Sequence, residues 1–330
     1  YLKARELARG IGAPNAMSRA EALLQAAVEL DPKFAIAWAQ LCYVQIYRYF
    51  FNQDRTLARK ARAKAAMDAA VRLAPESPEA IRAVGDYYYY GLRDYTRAVE
   101  QYEGLARLQP NYPEVHALLG AVFRRQGRWV ESLARARKVV QLDPGYIFIA
   151  RVLARDLQSG RRYDEADVEW RRLVGAQPDD LYVRFQFALN PFLARGSTRE
   201  AEEFLARMGA TQANSDDGIN IRKRWAIISG NLPEYLRLDR AKPNLAPSGG
   251  FLLPTTAIDA AIVLAAQGNS AGARERLGDG AELRSQVESD PTNVALWTRL
   301  GQTEALLGRK EEAVRCARKA GEVLPESLDA

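Results

Sequence analysis

The chain has 330 residues, of which 48% are hydrophobic, and its 47 basic and 41 acidic residues leave a formal net charge of +6. This length exceeds one ordinary hydrophobic core, so it predicts two domains or a repeat array. No run reaches the roughly 18 uninterrupted apolar residues that a membrane helix needs. The mild basic excess does not by itself argue for nucleic acid.

The first residues already show a helical pattern. The chain begins without Met at Tyr1, so we expect it to be a piece of a longer protein whose targeting signals lie elsewhere. The compartment, cytoplasmic or periplasmic, is therefore left open by the sequence.

Internal repetition follows along the chain. Prolines that end helical stretches recur every 34 or 35 residues, at Pro75, Pro110, Pro144 and Pro178, and again 34 residues apart at Pro291 and Pro325. An earlier one, Pro32, is separated from Pro75 by an insertion around Tyr49 to Thr56. Such a period is the signature of stacked helical pairs.

Two kinds of small residue recur within each unit. One set lies in the first helix, and the other lies in the second, where two antiparallel helices would cross closely. Glycines mark the joints between the two helices of a unit, since glycine tolerates the left-handed conformation that ends a helix. The small residues of the first helix are Cys42, Gly85, Gly120, Ala154, Ala188 and Gly301, and those of the second helix are Ala20, Ala63, Ser132, Ala166 and Ala313. The joint glycines are Gly91, Gly127, Gly160, Gly196, Gly230, Gly268 and Gly308.

Residues 209–253 fit the period poorly. We expect helices near 217–229 and 233–240, followed by a loop at 242–254, as a degenerate repeat and linker. The predicted organisation is thus a repeat array over 1–208, the degenerate segment over 209–253, and two further units with the start of another helix over 254–330.

These features resemble the tetratricopeptide-repeat family. The phrases that carry the resemblance include Leu119-Gly120-x-x-Phe123 and Trp297-x-x-Leu300-Gly301. The resemblance implies an all-α, α-α superhelix: a right-handed solenoid of about nine helix-turn-helix units, one of them degenerate. Segments such as YLKAREL look like the repeat regions of larger bacterial signalling proteins.

The resemblance also implies a concave groove lined by the first helix of each unit. The residues that fall on it suggest an aromatic and arginine surface that binds a peptide or protein segment, with an acidic segment as one candidate. The candidate groove residues are Tyr43, Tyr47, Arg82, Tyr89, Tyr90, Arg124, Arg125, Arg151, Arg155 and Phe185. In the tyrosine run, Tyr88 is expected in the core and Tyr87 on the outer side. The Lys and Asn set that binds a C-terminal carboxylate in one subtype of the family is absent.

No catalytic, metal or cofactor site is predicted. His116, the one histidine, occupies a packing position that tryptophan takes in two other units, and Cys42 and Cys316 are interpreted as small buried residues. The favoured function is therefore a non-catalytic protein-interaction scaffold. Three alternatives stay open: a regulatory arm of a bacterial signalling enzyme or transcription regulator, an RNA-binding helical repeat, and a dimer through the ends of the array.

Overall fold

The structure is a computed structural model of the chain, and it describes residues 1–9, 15–51, 53–243, 245 and 257–324. These residues form two compact units, one within 1–152 and the other within 153–324. The division falls inside a helix, and not in the predicted linker. This division into two units does not decide the predicted three parts, 1–208, 209–253 and 254–330, which stay a prediction. The predicted loop at 242–254 and the predicted helix after Pro325 lie almost entirely outside the described residues.

The first unit contains eight complete helices, a short π-helical segment and the start of a ninth helix. They are α1 (Leu2–Arg9), α2 (Ala16–Leu30), α3 (Ala35–Phe50), α4 (Leu57–Leu73), α5 (Pro78–Asp86), the π-helical segment Tyr87–Leu92, α6 (Tyr95–Leu108), α7 (Pro113–Arg125), α8 (Trp129–Leu142) and the first residues of α9 (Ile147–Ser159).

The second unit continues from α9 with eleven more helices among the described residues. They are α10 (Tyr163–Ala176), α11 (Leu181–Arg195), α12 (Arg199–Ala206), α13 (Ala210–Asn214), α14 (Asp216–Ile228), α15 (Leu232–Ala241), α16 (Ala257–Ala266), α17 (Ser270–Leu277), α18 (Ala281–Ser289), α19 (Val294–Leu306) and α20 (Lys310–Val323). The part of the chain that the structure describes contains no strand, so the predicted all-α helical-repeat class is confirmed. None of the described helices is long and apolar enough to cross a membrane.

A hydrogen bond ties the first helix of several units to the proline that precedes it. Trp38 Nε1 donates to the Pro32 carbonyl at 3.0 Å, and Trp297 Nε1 donates to the Pro291 carbonyl at 2.8 Å. His116 lies buried at the equivalent position, with Nε2 at 2.8 Å from the carbonyl of the proline six residues before it. A carbonyl oxygen only accepts, so Nε2 carries the proton. The predicted packing role of His116 is confirmed.

Small residues mark the closest crossings between the helices of a pair. A Cβ added to Gly85 would lie 2.5 Å from a ring carbon of Tyr102, closer than atoms can approach. At Gly120 the nearest atom to an added Cβ is 3.4 Å away, and the carbonyl of this glycine accepts a 2.9 Å hydrogen bond from the Ser132 hydroxyl. The period predicted from the sequence therefore reflects helix contacts.

The joints between paired helices depart from the predicted glycine pattern at two places. Glycines with positive φ end the first helix at five joints. At the other two joints, the left-handed residues are Arg93 (φ 53°) and Arg161 (φ 58°), although Gly91 and Gly160 stand close by. Gly91 is instead buried, and an added Cβ would lie 2.9 Å from the Ile46 side chain. The glycine at this joint is needed for a close approach, not for its conformational freedom.

Candidate functional site

A cavity of about 770 Å³ opens on the first unit and is called here the inner groove. It is lined mainly by the first helices of successive pairs: α1, α3, α5, α7 and the start of α9. Two small side chains one turn apart on α7, Ala117 and Ala121, form part of its wall. The volume falls within the range of ligand-binding cavities.

An arginine and a buried carboxylate lie at the middle of the inner groove. Arg82 Nε is 3.5 Å from Asp86 Oδ2, and the Arg82 guanidinium lies over the Tyr43 ring, 5.3 Å from its centroid. Asp86 is only 1% exposed, and the Tyr102 hydroxyl donates to its other oxygen at 2.7 Å. These contacts hold Arg82 in one orientation against an aromatic face.

Burial controls the ionisation of this cluster. Burial raises the pKa of Asp86 above its ordinary value, and the opposing effects of Arg82 and the Tyr102 hydroxyl do not cancel it. Burial also raises the pKa values of Tyr43, Tyr90 and Tyr102. The three phenols therefore stay protonated at neutral pH and can donate hydrogen bonds.

The variant Asp86→Asn is expected to gain stability relative to the wild type as pH rises, because burial raises the pKa of the Asp86 carboxyl group. A carboxyl group whose pKa is raised on folding stabilises the folded state below its unfolded pKa, and this contribution is lost as pH rises through the folded pKa. The stability advantage of Asp86→Asn should therefore grow from pH 4 upward and then level off. Urea unfolding of both proteins between pH 4 and pH 7 measures this.

Glu131→Gln provides the control of opposite sign. The pKa of the exposed Glu131 is lowered by a backbone hydrogen bond at its helix start and by Arg128. A lowered pKa makes the wild-type carboxylate more stabilising as pH rises, so Glu131→Gln should fall behind the wild type with rising pH. An Asp86→Asn variant that also falls behind as pH rises would contradict the account of Asp86.

Seven aromatic rings form a continuous cluster beside the inner groove. The C-terminal end of α3 supplies Phe50, and Phe51 follows directly after it. The Phe50 ring centroid lies 5.2 Å from that of Tyr90. Arg93 and Arg125 both lie over the Phe50 ring, at 5.5 and 5.8 Å from its centroid. The cluster is formed by Tyr43, Tyr47, Phe50, Phe51, Tyr89, Tyr90 and Tyr95.

The π-helical segment changes which tyrosines of the run face the core. A π-helix bonds i to i+5 and so turns less per residue than an α-helix. Tyr87 and Tyr89 are both buried in the core, whereas Tyr88 is only half-buried and lies under Arg97. The predicted placement of Tyr87 on the outer side is therefore wrong, whereas Tyr88 packs against the core as predicted but is only partly buried. Tyr90 lines the inner groove as predicted.

The structure brings together some of the ten candidate groove residues and separates others. Tyr43, Arg82, Tyr90 and Arg124 line the inner groove. Tyr47 and Tyr89 are buried in the aromatic cluster behind it.

The remaining four candidates are not among the residues that line the inner groove. Arg125 is half-buried over Phe50, and Arg151 is half-buried on α9. Arg155 and Phe185 belong to the second unit, where Arg155 is paired with Asp156 at 3.2 Å and Phe185 is buried with its ring 6.0 Å from that of Phe204.

Several lining residues were not predicted as site residues. Four carboxylates line the inner groove beside three arginines, so its charge is mixed and not basic. A second cavity of about 530 Å³ adjoins this site and shares Glu79, Arg82 and Tyr112 with it. The charged residues of the inner groove are Glu79, Asp86, Glu114 and Asp143, with Arg5, Arg82 and Arg124.

Metal binding and nucleophilic catalysis each require particular side chains. No three His, Cys, Asp or Glu side chains within the described ranges are placed to hold a metal ion. Cys42 and Cys316 are both buried, and burial raises the pKa of each thiol. Since the thiolate is the reactive form, neither cysteine is suited to nucleophilic chemistry.

Two segments, residues 87–147 and 294–322, match family models described as the tetratricopeptide repeat. These two segments of the chain are tetratricopeptide repeats. The first matched segment contains α6, α7 and α8, and the second contains α19 and most of α20. Tetratricopeptide-repeat proteins generally act as protein-interaction scaffolds without catalytic activity, because stacked repeats present extended concave surfaces.

Comparison with solved structures shows two with a TM-score of 0.50 that are similar in fold to this chain, and a third with a lower score. PilW, a widely conserved type IV pilus biogenesis factor, is 18% identical with a TM-score of 0.50, over 65% of this chain and 93% of its own. A monomeric mutant of IFIT1, solved with Gppp-AAAA, is 14% identical with a TM-score of 0.50, over 94% of this chain and 68% of its own. YrrB, solved as a protein with an unusual peptide-binding site, is 17% identical with a TM-score of 0.42, over 66% of this chain and 97% of its own. No curated protein matches the chain.

Proposed function

We propose that this protein is a non-catalytic scaffold that binds a peptide segment of a partner protein in the inner groove of its first unit. The observation that carries the proposal is the cavity of about 770 Å³ itself, lined by the first helices of successive pairs. It combines tyrosine faces with one well-oriented arginine, the residue types that contribute most at protein interfaces.

The lining residues of the inner groove suit an extended or helical peptide. Ala117 and Ala121 leave space above α7, whereas Tyr43 and Tyr90 supply rigid apolar area beside it. The mixed charge of the lining favours a peptide over a nucleic-acid strand, since phosphate-tracking surfaces need many uncompensated cations. This argument makes RNA the weaker candidate.

Affinity selection tests the proposal with three versions of the full chain. The probe is a synthetic library of ten-residue peptides, made once with a free C-terminal carboxylate and once as the C-terminal amide. The variant Ala121→Trp fills the groove, and Ala65→Trp adds the same side chain at an exposed position of α4 outside the groove lining. Retained peptides are identified by mass spectrometry, and their affinities are measured by calorimetry.

We expect peptides that bind the wild type and Ala65→Trp with equal affinity and bind Ala121→Trp at least about 10-fold more weakly. Equal binding to all three proteins would place the site outside the groove. If no peptide of the library binds the wild type, the proposed function is wrong. The finer prediction, a regulatory arm of a bacterial signalling protein, stays a prediction.

A further inference from the structure

We propose that Arg82 binds the side-chain carboxylate of a single Asp or Glu within the peptide that occupies the inner groove. This inference rests on the proposed function and specifies the chemistry of its ligand. It comes from the position of the Arg82 guanidinium, which lines both the inner groove and the second cavity.

The first support is the unused donor capacity of Arg82. Its one ion pair within the described residues is the 3.5 Å approach to Asp86, and its buried Nε has no hydrogen-bond partner there. A guanidinium carries five N–H donors in a planar fork. The side chain is 28% exposed, so the donors can reach a ligand carboxylate, which arginine holds bidentately.

The second support is that the guanidinium is held in place before any ligand arrives. The Tyr43 ring lies under it, and Asp86 is itself fixed by the Tyr102 hydroxyl. Preorganisation of this kind lowers the entropy lost on binding. Asp86 is thus a positioning residue for Arg82.

The third support concerns the number of acidic groups that the groove can accept. Glu79, Glu114 and Asp143 also line it, and they would repel a run of acidic residues. A peptide with one carboxylate at Arg82 pairs with this arginine. If uncharged or basic residues flank that carboxylate, they are not repelled by the acidic side chains of the groove. The ligand is therefore a peptide with one anchored acidic residue and not a polyacidic segment.

The fourth support separates a side-chain carboxylate from a C-terminal one. The second cavity shares Arg82 with the inner groove, and its other lining residues include the apolar and amide side chains of Leu105, Gln109 and Asn111. A peptide that ended at Arg82 would leave this cavity empty. A peptide that passes Arg82 can place its next residues there.

The test uses the peptides selected in the preceding experiment and their matched forms with Glu changed to Gln or Asp to Asn. Each pair is titrated against the wild type, Arg82→Gln, Arg82→Lys and the control Arg72→Gln, which removes an exposed arginine of α4. The acidic peptides are expected to lose about 10- to 100-fold in affinity on Arg82→Gln, the range for a hydrogen-bonded charge. Their amide-substituted forms should lose almost nothing, and Arg72→Gln should match the wild type.

The affinities of the acidic and amide peptides for the wild-type protein provide a second measurement, which does not depend on whether a protein variant folds. Replacing the acidic residue should weaken binding by the same factor as Arg82→Gln, and Arg82→Lys should keep only part of the affinity because it lacks the fork. Equal binding of acidic and amide forms would overturn the anchor while Ala121→Trp still defines the groove. Selected peptides that need a free C-terminal carboxylate, or that contain no acidic residue, would also overturn it. Absence of any groove-dependent peptide would overturn both proposals.

Discussion

The variant Asp239→Ala is expected to destabilise the second unit by about 3–5 kcal/mol. Asp239 is buried and joins three helices through two cations. Lys223 Nζ on α14, fully buried, donates to Asp239 Oδ1 at 2.9 Å and to the Lys242 carbonyl at 2.8 Å. Arg276 Nη2 on α17 donates to Asp239 Oδ2 at 3.0 Å.

The size of this effect follows from what remains after the carboxylate is removed. The fully buried Lys223 would lose the carboxylate that balances its charge in the protein interior, and the desolvation of a charge without its counter-ion is costly. Arg276 is partly exposed and can turn to water. Most of the loss should therefore come from Lys223.

Urea unfolding measures the loss in free energy of unfolding, and hydrogen exchange of the α14 and α15 amides shows whether the loss is local to these helices. The double variant Lys223→Met with Asp239→Leu is the matched control, since replacing both partners of a buried pair by apolar residues is often neutral. It should recover most of the lost stability. A loss below about 1 kcal/mol for Asp239→Ala, or a double variant no more stable than the single one, would contradict the assignment.

The second large effect is expected at the helix crossing in the third pair, where Gly85→Ala should destabilise the first unit by about 1–3 kcal/mol. The new Cβ would meet the Tyr102 ring at 2.5 Å. Tyr102 is fully buried, and its hydroxyl bond to Asp86 prevents the ring from moving freely. The same change would disturb the support of Arg82, so peptide affinity should fall with stability.

Gly120→Ala is the matched control at the equivalent position of the next pair. Its added Cβ would be 3.4 Å from the nearest atom, an ordinary contact. Alanine is more favourable than glycine in a helix interior by about 1 kcal/mol, so Gly120→Ala should be neutral or stabilising. Thermal unfolding of the two variants should show changes of opposite sign. Equal losses would mean that any side chain at this repeat position is disruptive, whatever its neighbours.

Much of the fold could be predicted from the period of the sequence. The helices expected near 217–229 and 233–240 correspond to α14 (Asp216–Ile228) and α15 (Leu232–Ala241). The proline spacing, the small crossing residues and the equivalence of His116 to Trp38 and Trp297 all appear as packing contacts. Local signals sufficed here because each repeat contacts mainly its neighbours in sequence.

The candidate site was less predictable. Tyr43, Arg82, Tyr90 and Arg124 line the inner groove, but Tyr47, Tyr89 and Phe185 are buried. The position of a residue in the repeat predicts on which face of its helix the residue lies. It does not predict whether an aromatic ring from a neighbouring helix covers that face. The sequence also carries no mark of the π-helical turn, which arises from packing around Tyr87–Leu92.

By itself, therefore, the sequence determined the all-helical repeat, the approximate bounds of α14 and α15 and the residues at the crossings, because each depends on contacts between adjacent segments. Only the tertiary structure decided how Arg82, Asp86, Tyr102 and Tyr43 combine, and that two cavities meet at Arg82. It also decided that the Lys223, Asp239 and Arg276 charges are joined inside the second unit. These arrangements depend on side chains from three or more helices, and their distances follow from packing rather than from spacing along the chain.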